Sequence, residues 1–285
     1  MRKRKKRTIL WSVIAISMIA MILWIIWGNS ALELTRHPIK SAKIPDAFDG
    51  YRIAHVSDLH NAEMGANNED LLTMLREAEP DMIAITGDLI DSYHTDTQVA
   101  LHFVQEAVKI APCYYVTGNH EARVSDYPAL KAAMEAAGAI VLEDERAQIT
   151  LEGQTITLLG VDDPSFQTDY LSGDPDAVIT DALTDLDTGD DSFTILLSHR
   201  PELFDVYVTH GIDLILSGHA HGGQFRLPFL GGLIAPGQGL FPEYDSGAYT
   251  EGSSTMIVSR GIGNSLFPFR VNNRPEVVLI ELGCG

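Results

Sequence analysis

Apolar residues along the chain fall into two patterns. Short unbroken runs end in polar residues: IAHVS at 53–57, MIAIT at 82–86, YYVT at 114–117, ILLS at 195–198 and LILS at 214–217. Runs without alternation read as strands buried on both faces. Between them lie stretches with apolar residues at helical spacing. One spans 68–78, with Asn67 or Asn68 as cap and Pro80 as its end; another spans 97–110 and stops at Pro112; a third spans 127–137 and closes on Gly138. Further strands are expected at 140–142, 148–151 and 155–159, the last two joined by a Glu152-Gly153 turn. An acidic surface helix follows at 174–186, then strand 194–197, helix 202–209 and strand 213–216, with final strands at 255–258 and 276–282. Residues 222–249, rich in Gly, Pro and aromatics, read as a long structured loop. The alternation predicts α/β layering, with buried strands and outer helices.

The start of the chain breaks this pattern. Residues 8–28, TILWSVIAISMIAMILWIIWG, carry no charge and match the roughly 20 residues of a bilayer-spanning helix. Trp11, Trp24 and Trp27 lie near its ends, where aromatic belts sit. Six basic residues at 2–7 should stay in the cytoplasm and place the rest outside. The rival is a cleaved signal peptide, whose apolar core is usually about 7–15 residues and ends in small residues. Here the end is bulky and no Ala-x-Ala follows, so an uncleaved single-pass anchor in the cell membrane is expected. The organisation is then a basic segment at 1–7, an anchor at 8–28, a polar connector at 29–50 with strand character at 32–35, and the main domain at 51–285.

Composition narrows the chemistry. The net charge is −19 although six basic residues are concentrated at 2–7, so the body alone is more acidic still. Such a body repels nucleic-acid backbones, which excludes general nucleic-acid binding. An anionic substrate must be drawn in by local cations rather than a global field. Cys113 and Cys284 are the only cysteines, with no Cys-x-x-Cys, which excludes a disulfide framework or zinc ribbon and leaves one bridge open.

Five polar blocks stand where the apolar runs end: Ser57-Asp58-Leu59-His60, Gly87-Asp88, Gly118-Asn119-His120-Glu121, Ser198-His199 and Gly218-His219-Ala220-His221. Sites in α/β sheets form beyond the carboxyl ends of strands, so five strands deliver these blocks to one edge. Carboxylate, amide and imidazole ligands without thiolate suit Mn, Fe or Zn. There are more of them than one ion needs, which points to a two-metal site for phosphoryl chemistry. Singly, each block has an ordinary explanation, such as a turn at Gly118-Asn119; together at strand ends they do not. His37, His94 and His102 read as surface residues, His55 as core packing and His210 as a helix C-terminus. Arg200, Arg226, Arg260 and Arg270 are candidates to grip a phosphate by forked contacts. Phe225, Leu227, Phe229, Leu233, Phe241 and Tyr244 in the long loop either bind an acyl chain or cover the core, and core cover is expected.

The ordered set from Asp58 to His221 resembles the calcineurin-like metallophosphoesterase superfamily over roughly 52–224, with every ligand position present. The anchor, Ser-His-Arg-Pro-Glu at 198–202 and the Gly-Gly-Gln after His221 are similar to its bacterial membrane-associated branch, which includes enzymes like UDP-diacylglucosamine pyrophosphatase. The resemblance implies a four-layer α/β/β/α sandwich. It implies one divalent metal on Asp58, His60 and His221, a second on Asn119, His199 and His219, and Asp88 bridging both. His120 would serve the leaving oxygen, with Glu121 orienting it. The implied activity is hydrolysis of a phosphoester, a phosphodiester or pyrophosphate first of all, by a hydroxide between the metals at the outer membrane surface. The anchor puts lipid-linked substrates within reach. Alternatives are a phosphomonoesterase or protein phosphatase, and a metal-binding scaffold, although scaffolds normally lose ligands and none is missing here.

Overall fold

The computed structural model describes residues 2–168, 173–187, 189, 191–265 and 267–285. Helix α1 (Arg2–Ser30) is continuous, and its part Lys6–Ser30 is long and apolar enough to cross a membrane. Most of its apolar side chains, from Ile9 to Trp27, stay exposed, with Ile25 half-buried. The first half of the body runs β1 (Glu33–Ser41), β2 (Arg52–Val56), α2 (Glu69–Ala78), β3 (Met82–Thr86), α3 (Thr97–Ala107), β4 (Cys113–Val116), α4 (Tyr127–Ala137) and β5 (Ile140–Val141). The second half runs β6 (Glu145–Leu151), β7 (Gln154–Gly160), α5 (Pro175–Leu186), β8 (Thr194–Leu197), α6 (Phe204–Thr209) and β9 (Leu214–Ser217). Two small hairpins follow, β10 (Arg226–Leu227) with β11 (Gly231–Gly232) and β12 (Ile234–Ala235) with β13 (Gly239–Leu240). The chain ends with β14 (Gly247–Glu251), β15 (Ser254–Val258) and β16 (Glu276–Cys284).

Two six-stranded sheets result, ordered β1-β16-β2-β3-β4-β5 and β14-β15-β9-β8-β7-β6. Strands β2 to β5 are mutually parallel, as are β7, β8, β9 and β15, so the site-bearing strands of each sheet point one way. Alternation on β3 explains its unbroken apolar run. Ile83 and Ile85 pack with Leu72 and Leu75 of α2 and Phe103 of α3, whereas Met82 and Ala84 belong to a second cluster with Ile195 and Leu216 of the other sheet. A third cluster joins Leu196 and Ile215 to Ile179 and Leu183 of α5 and Phe204 of α6. Three apolar seams between four layers make the α/β/β/α sandwich.

Local signals act with some differences from expectation. Asp96 caps α3 through Gln98 N (3.0 Å), and Gly138 closes α4 at φ 105°. Asn68 precedes α2 but does not cap it; its Oδ1 accepts from Met64 N (2.9 Å) and ties the preceding loop instead. Helix α3 stops at Ala107 rather than 110, and residues 108–110 continue as a turn. The strand expected at 32–35 extends to Ser41, because β16 supplies a parallel partner for all nine residues. Cys113 and Cys284 are both free thiols, so no bridge joins them.

Candidate metal centre

All seven expected ligands converge where β2, β3 and β4 of one sheet meet β8 and β9 of the other. Each is buried: Asp58, His60, Asp88, Asn119, His199, His219 and His221. The two sheets are stitched at this edge, with His199 Nδ1 donating to Thr86 O (2.7 Å) and His219 N bonding both Asp58 oxygens (3.1 Å each). The turns that carry these side chains approach so closely that a Cβ at Gly218 would lie 1.8 Å from Ser57 Oγ and 2.4 Å from Asp58 Oδ2. Glycine is required there by proximity.

The side chains form two groups of titratable donors, Asp58–His60–His221 and Asp88–His199–His219, each with its donor atoms within 4.8 Å of one another. In the first, His221 Nε2 lies 3.4 Å from Asp58 Oδ1 and 3.1 Å from His60 Nε2. In the second, His219 Nδ1 lies 3.1 Å from His199 Nε2. Asp88 Oδ2 stands between them, 3.4 Å from His60 Nε2 and 3.2 Å from His199 Nε2. Its other oxygen accepts from His120 N (2.8 Å), which fixes the carboxylate's orientation.

Electrostatics fit a cation site. Burial pushes His219 well below its ordinary value, with Arg200 adding to the effect, and brings His221 down to about 3. Neutral imidazoles are what a metal requires. Burial would raise Asp58 and Asp88, but the neighbouring histidines outweigh it and keep both carboxylates ionised. His199 and His60 go the other way: against burial, the carboxylates of Asp88 and Asp58 raise them, so these two rings must release a proton for a cation to take its place. Asn119 Oδ1 is buried with no hydrogen-bond partner, an orphaned acceptor of the kind a cation satisfies.

His120 is built differently. Ser92 N donates to its Nδ1 (2.9 Å), with Ser92 Oγ 3.1 Å and Asp91 Oδ1 3.6 Å away. An accepting Nδ1 leaves the proton on Nε2, and burial agrees by bringing the ring down to about 4. Glu121 does not orient this ring, contrary to expectation. Its carboxylate accepts from Asp88 N (2.9 Å), Gly118 N (2.8 Å) and Ile90 N (3.3 Å), so it fixes the two turns that carry Asp88 and Asn119.

The four arginines expected to grip a phosphate have other partners. Arg200 is forked onto Asp163 (2.5 and 2.8 Å), with Nη1 3.2 Å from His219 Nε2. Arg226 pairs with Asp245, Arg260 with Glu33 and Glu276, and buried Arg270 caps the Arg260 carbonyl beside His221. Arg123 and Tyr93 line the 180 Å³ cavity over Asp88, Asn119, His120, His219 and His221. Both sit within five residues of a motif, Tyr93 after Gly87-Asp88 and Arg123 after His120-Glu121, and that adjacency is the signal that marks them.

Residues 51–223 match the calcineurin-like phosphoesterase family. The chain belongs to this family. It is 34% identical over 259 residues to the uncharacterised metallophosphoesterase YkuE of Bacillus subtilis, covering 88% of this chain and 85% of that one. It is 27% identical to phosphodiesterase YaeI of Escherichia coli, covering 88% of each. A transmembrane protein with metallophosphoesterase domain from Danio rerio is 28% identical, over 84% of this chain and 55% of that one. Among solved structures, TT1561 of Thermus thermophilus shares the fold, with a TM-score of 0.53 at 16% identity over 75% of this chain and 90% of that one. This calcineurin-like chain is a metal-dependent phosphoesterase, with clustered ligands for divalent cations and an N-terminal apolar helix suited to a membrane.

Proposed function

We propose that this phosphoesterase is a two-metal phosphodiesterase, held by its single N-terminal helix with the catalytic body outside the cytoplasm. The observation that carries the reading is Asp88, whose Oδ2 lies within 3.4 Å of a histidine from each donor group. One divalent cation would be held by Asp58, His60 and His221, the other by Asn119, His199 and His219, with Asp88 shared. The nitrogen and oxygen donors and the lack of thiolate favour Mn, Fe or Zn. When bound, such a pair supplies charge for the phosphoryl oxygens and acidifies water.

The chain's own residues supply the rest. Water's oxygen ends on phosphorus and its proton on the departing alcohol, whose phosphorus–oxygen bond breaks, while Nε2–H of neutral His120 donates a hydrogen bond to the departing oxygen as charge builds on it. Ser92 holds that tautomer by donating to Nδ1. Arg123, at the cavity wall, places positive charge beside the substrate phosphate. The name of the Escherichia coli relative supports the diester over the monoester. The basic residues before the apolar helix support the outward body.

Turnover of bis(p-nitrophenyl) phosphate by the Mn-loaded full chain tests the reading. Asp88→Ala is expected to abolish turnover, and His120→Ala to lower kcat by roughly 10²–10³-fold, the usual contribution of one donor to a developing oxyanion. Undiminished kcat in His120→Ala would remove it from the reaction, and a rate on p-nitrophenyl phosphate far above that on the diester would favour a monoesterase.

A further inference from the structure

The long loop covers the core only in part: Ala235 and Tyr244 pack on the third apolar cluster, as expected, but other apolar residues of the loop face outward. Phe229 is fully exposed at the tip of the β10–β11 hairpin, next to exposed Leu230, and Leu240 and Phe241 are exposed at the end of the β12–β13 hairpin. These hairpins are joined to each other, since Leu233 N donates to Phe225 O (2.8 Å) and Phe241 N to Leu233 O (2.9 Å). They are also joined to the segment carrying Phe267 and Phe269, two more exposed aromatics. The Phe225 ring packs on both at 5.1 and 5.6 Å, and Gln224 Nε2 donates to both carbonyls. The result is one exposed apolar rim.

Two further observations say what meets this rim. The first is the anchor. Asn29, at the end of α1, clamps the backbone of Arg270 from both sides, accepting from its N (2.7 Å) and donating to its O (2.9 Å). The end of the helix is therefore fixed one residue from Phe269, and Trp27 stacks under Arg274 at 5.1 Å. Aromatic side chains at that level are suited to the membrane–water interface. The second is a cleft of about 280 Å³ behind the rim, walled by Ile234, Ala235, Pro236 and Phe267. It adjoins the metal cavity, because His221, Pro236 and Ser265 line both.

Resting on the phosphodiesterase reading, we propose that the rim seats in the same bilayer as the anchor. The cleft takes the hydrocarbon chain of a membrane-resident amphiphile whose phosphodiester lies at the metal centre. The substrate class is a single- or multi-chain lipid phosphodiester rather than a soluble nucleotide or sugar phosphate. The polar head faces Tyr93 and Arg123, and the chain runs past Pro236 towards Phe267. Binding several methylenes in an apolar cleft multiplies affinity about fourfold for each one fully buried.

The test uses the full chain, Mn-loaded, in phosphatidylcholine nanodiscs, with p-nitrophenyl methyl phosphate and p-nitrophenyl hexadecyl phosphate as probes. The long-chain ester is expected to show a kcat/KM at least about tenfold higher. Partition into the bilayer raises that ratio for every variant equally, so the variants decide. Ile234→Asp and Phe267→Asp are each expected to lower the ratio at least about fivefold by putting charge in the cleft. A wild-type chain with no preference for the long ester, or variants with the wild-type ratio, would overturn the proposal while leaving the phosphodiesterase reading in place. Turnover of neither ester would remove both.

Discussion

Five of the seven candidate ligands, Asp58, His60, Asp88, His219 and His221, hold their backbones in the left-handed region, with φ from 46° to 64°. Each costs on the order of 1–3 kcal/mol and persists only where surrounding bonds over-determine it. Glu121 is such a bond-maker. In Glu121→Gln an amide donor replaces the carboxylate oxygen that accepts from Asp88 N and Gly118 N. We expect a stability loss of roughly 1–3 kcal/mol and weaker metal binding, measured by denaturant unfolding and metal titration. Wild-type stability in that variant would mean the two turns are held otherwise. Asp162 makes a second residue-scale case. Burial, with Glu143 and Asp144 nearby, brings its carboxyl up to about 7 from 3.8, although Thr117 donates to it. The folded state then keeps a proton that the unfolded state releases, so this group's contribution to stability falls as pH rises from 3.8 to about 7. Asp162→Asn keeps the acceptor and should flatten that slope and be the more stable protein at about pH 8, by thermal unfolding. The ligand types were legible in sequence because each stands at a strand end. The partners of His120 were not, since Ser92 reaches it through a backbone N–H that no residue type announces.

At the scale of elements, apolar runs on β2, β3, β4, β8 and β9 were readable because both faces of these strands are buried. Strand β1 was harder. Its burial alternates between half-buried and exposed positions, and it carries Pro38, so only pairing with β16 identifies it fully. The short hairpins of the 226–240 region have two-residue strands, too short for any periodicity. The junction of β9 with the His219 turn invites a test. Gly218→Ala places a methyl group where Ser57 and Asp58 already stand, so β2 and β9 must part. We expect overpacking to cost about 1–3 kcal/mol and metal affinity to fall with it, read by unfolding and by metal titration of the same variant. A variant that binds metal and unfolds like wild type would show that the two turns are not in contact.

For the whole molecule, four layers, an anchor helix and one edge where two sheets deliver ligands make a single arrangement. The sandwich itself followed from the alternation of elements together with a family resemblance, and the family match over residues 51–223 agrees with it. The seating of the 225–269 rim beside the anchor did not follow, because the Asn29–Arg270 contact joins residues 241 positions apart. The central claim is a pair of cations sharing Asp88, and electron paramagnetic resonance of the Mn-loaded full chain tests it most directly. An exchange-coupled pair, with two Mn per chain, is the expected spectrum, turning to uncoupled Mn in Asp88→Ala as the shared ligand is lost. A single uncoupled Mn per wild-type chain at saturation would contradict it.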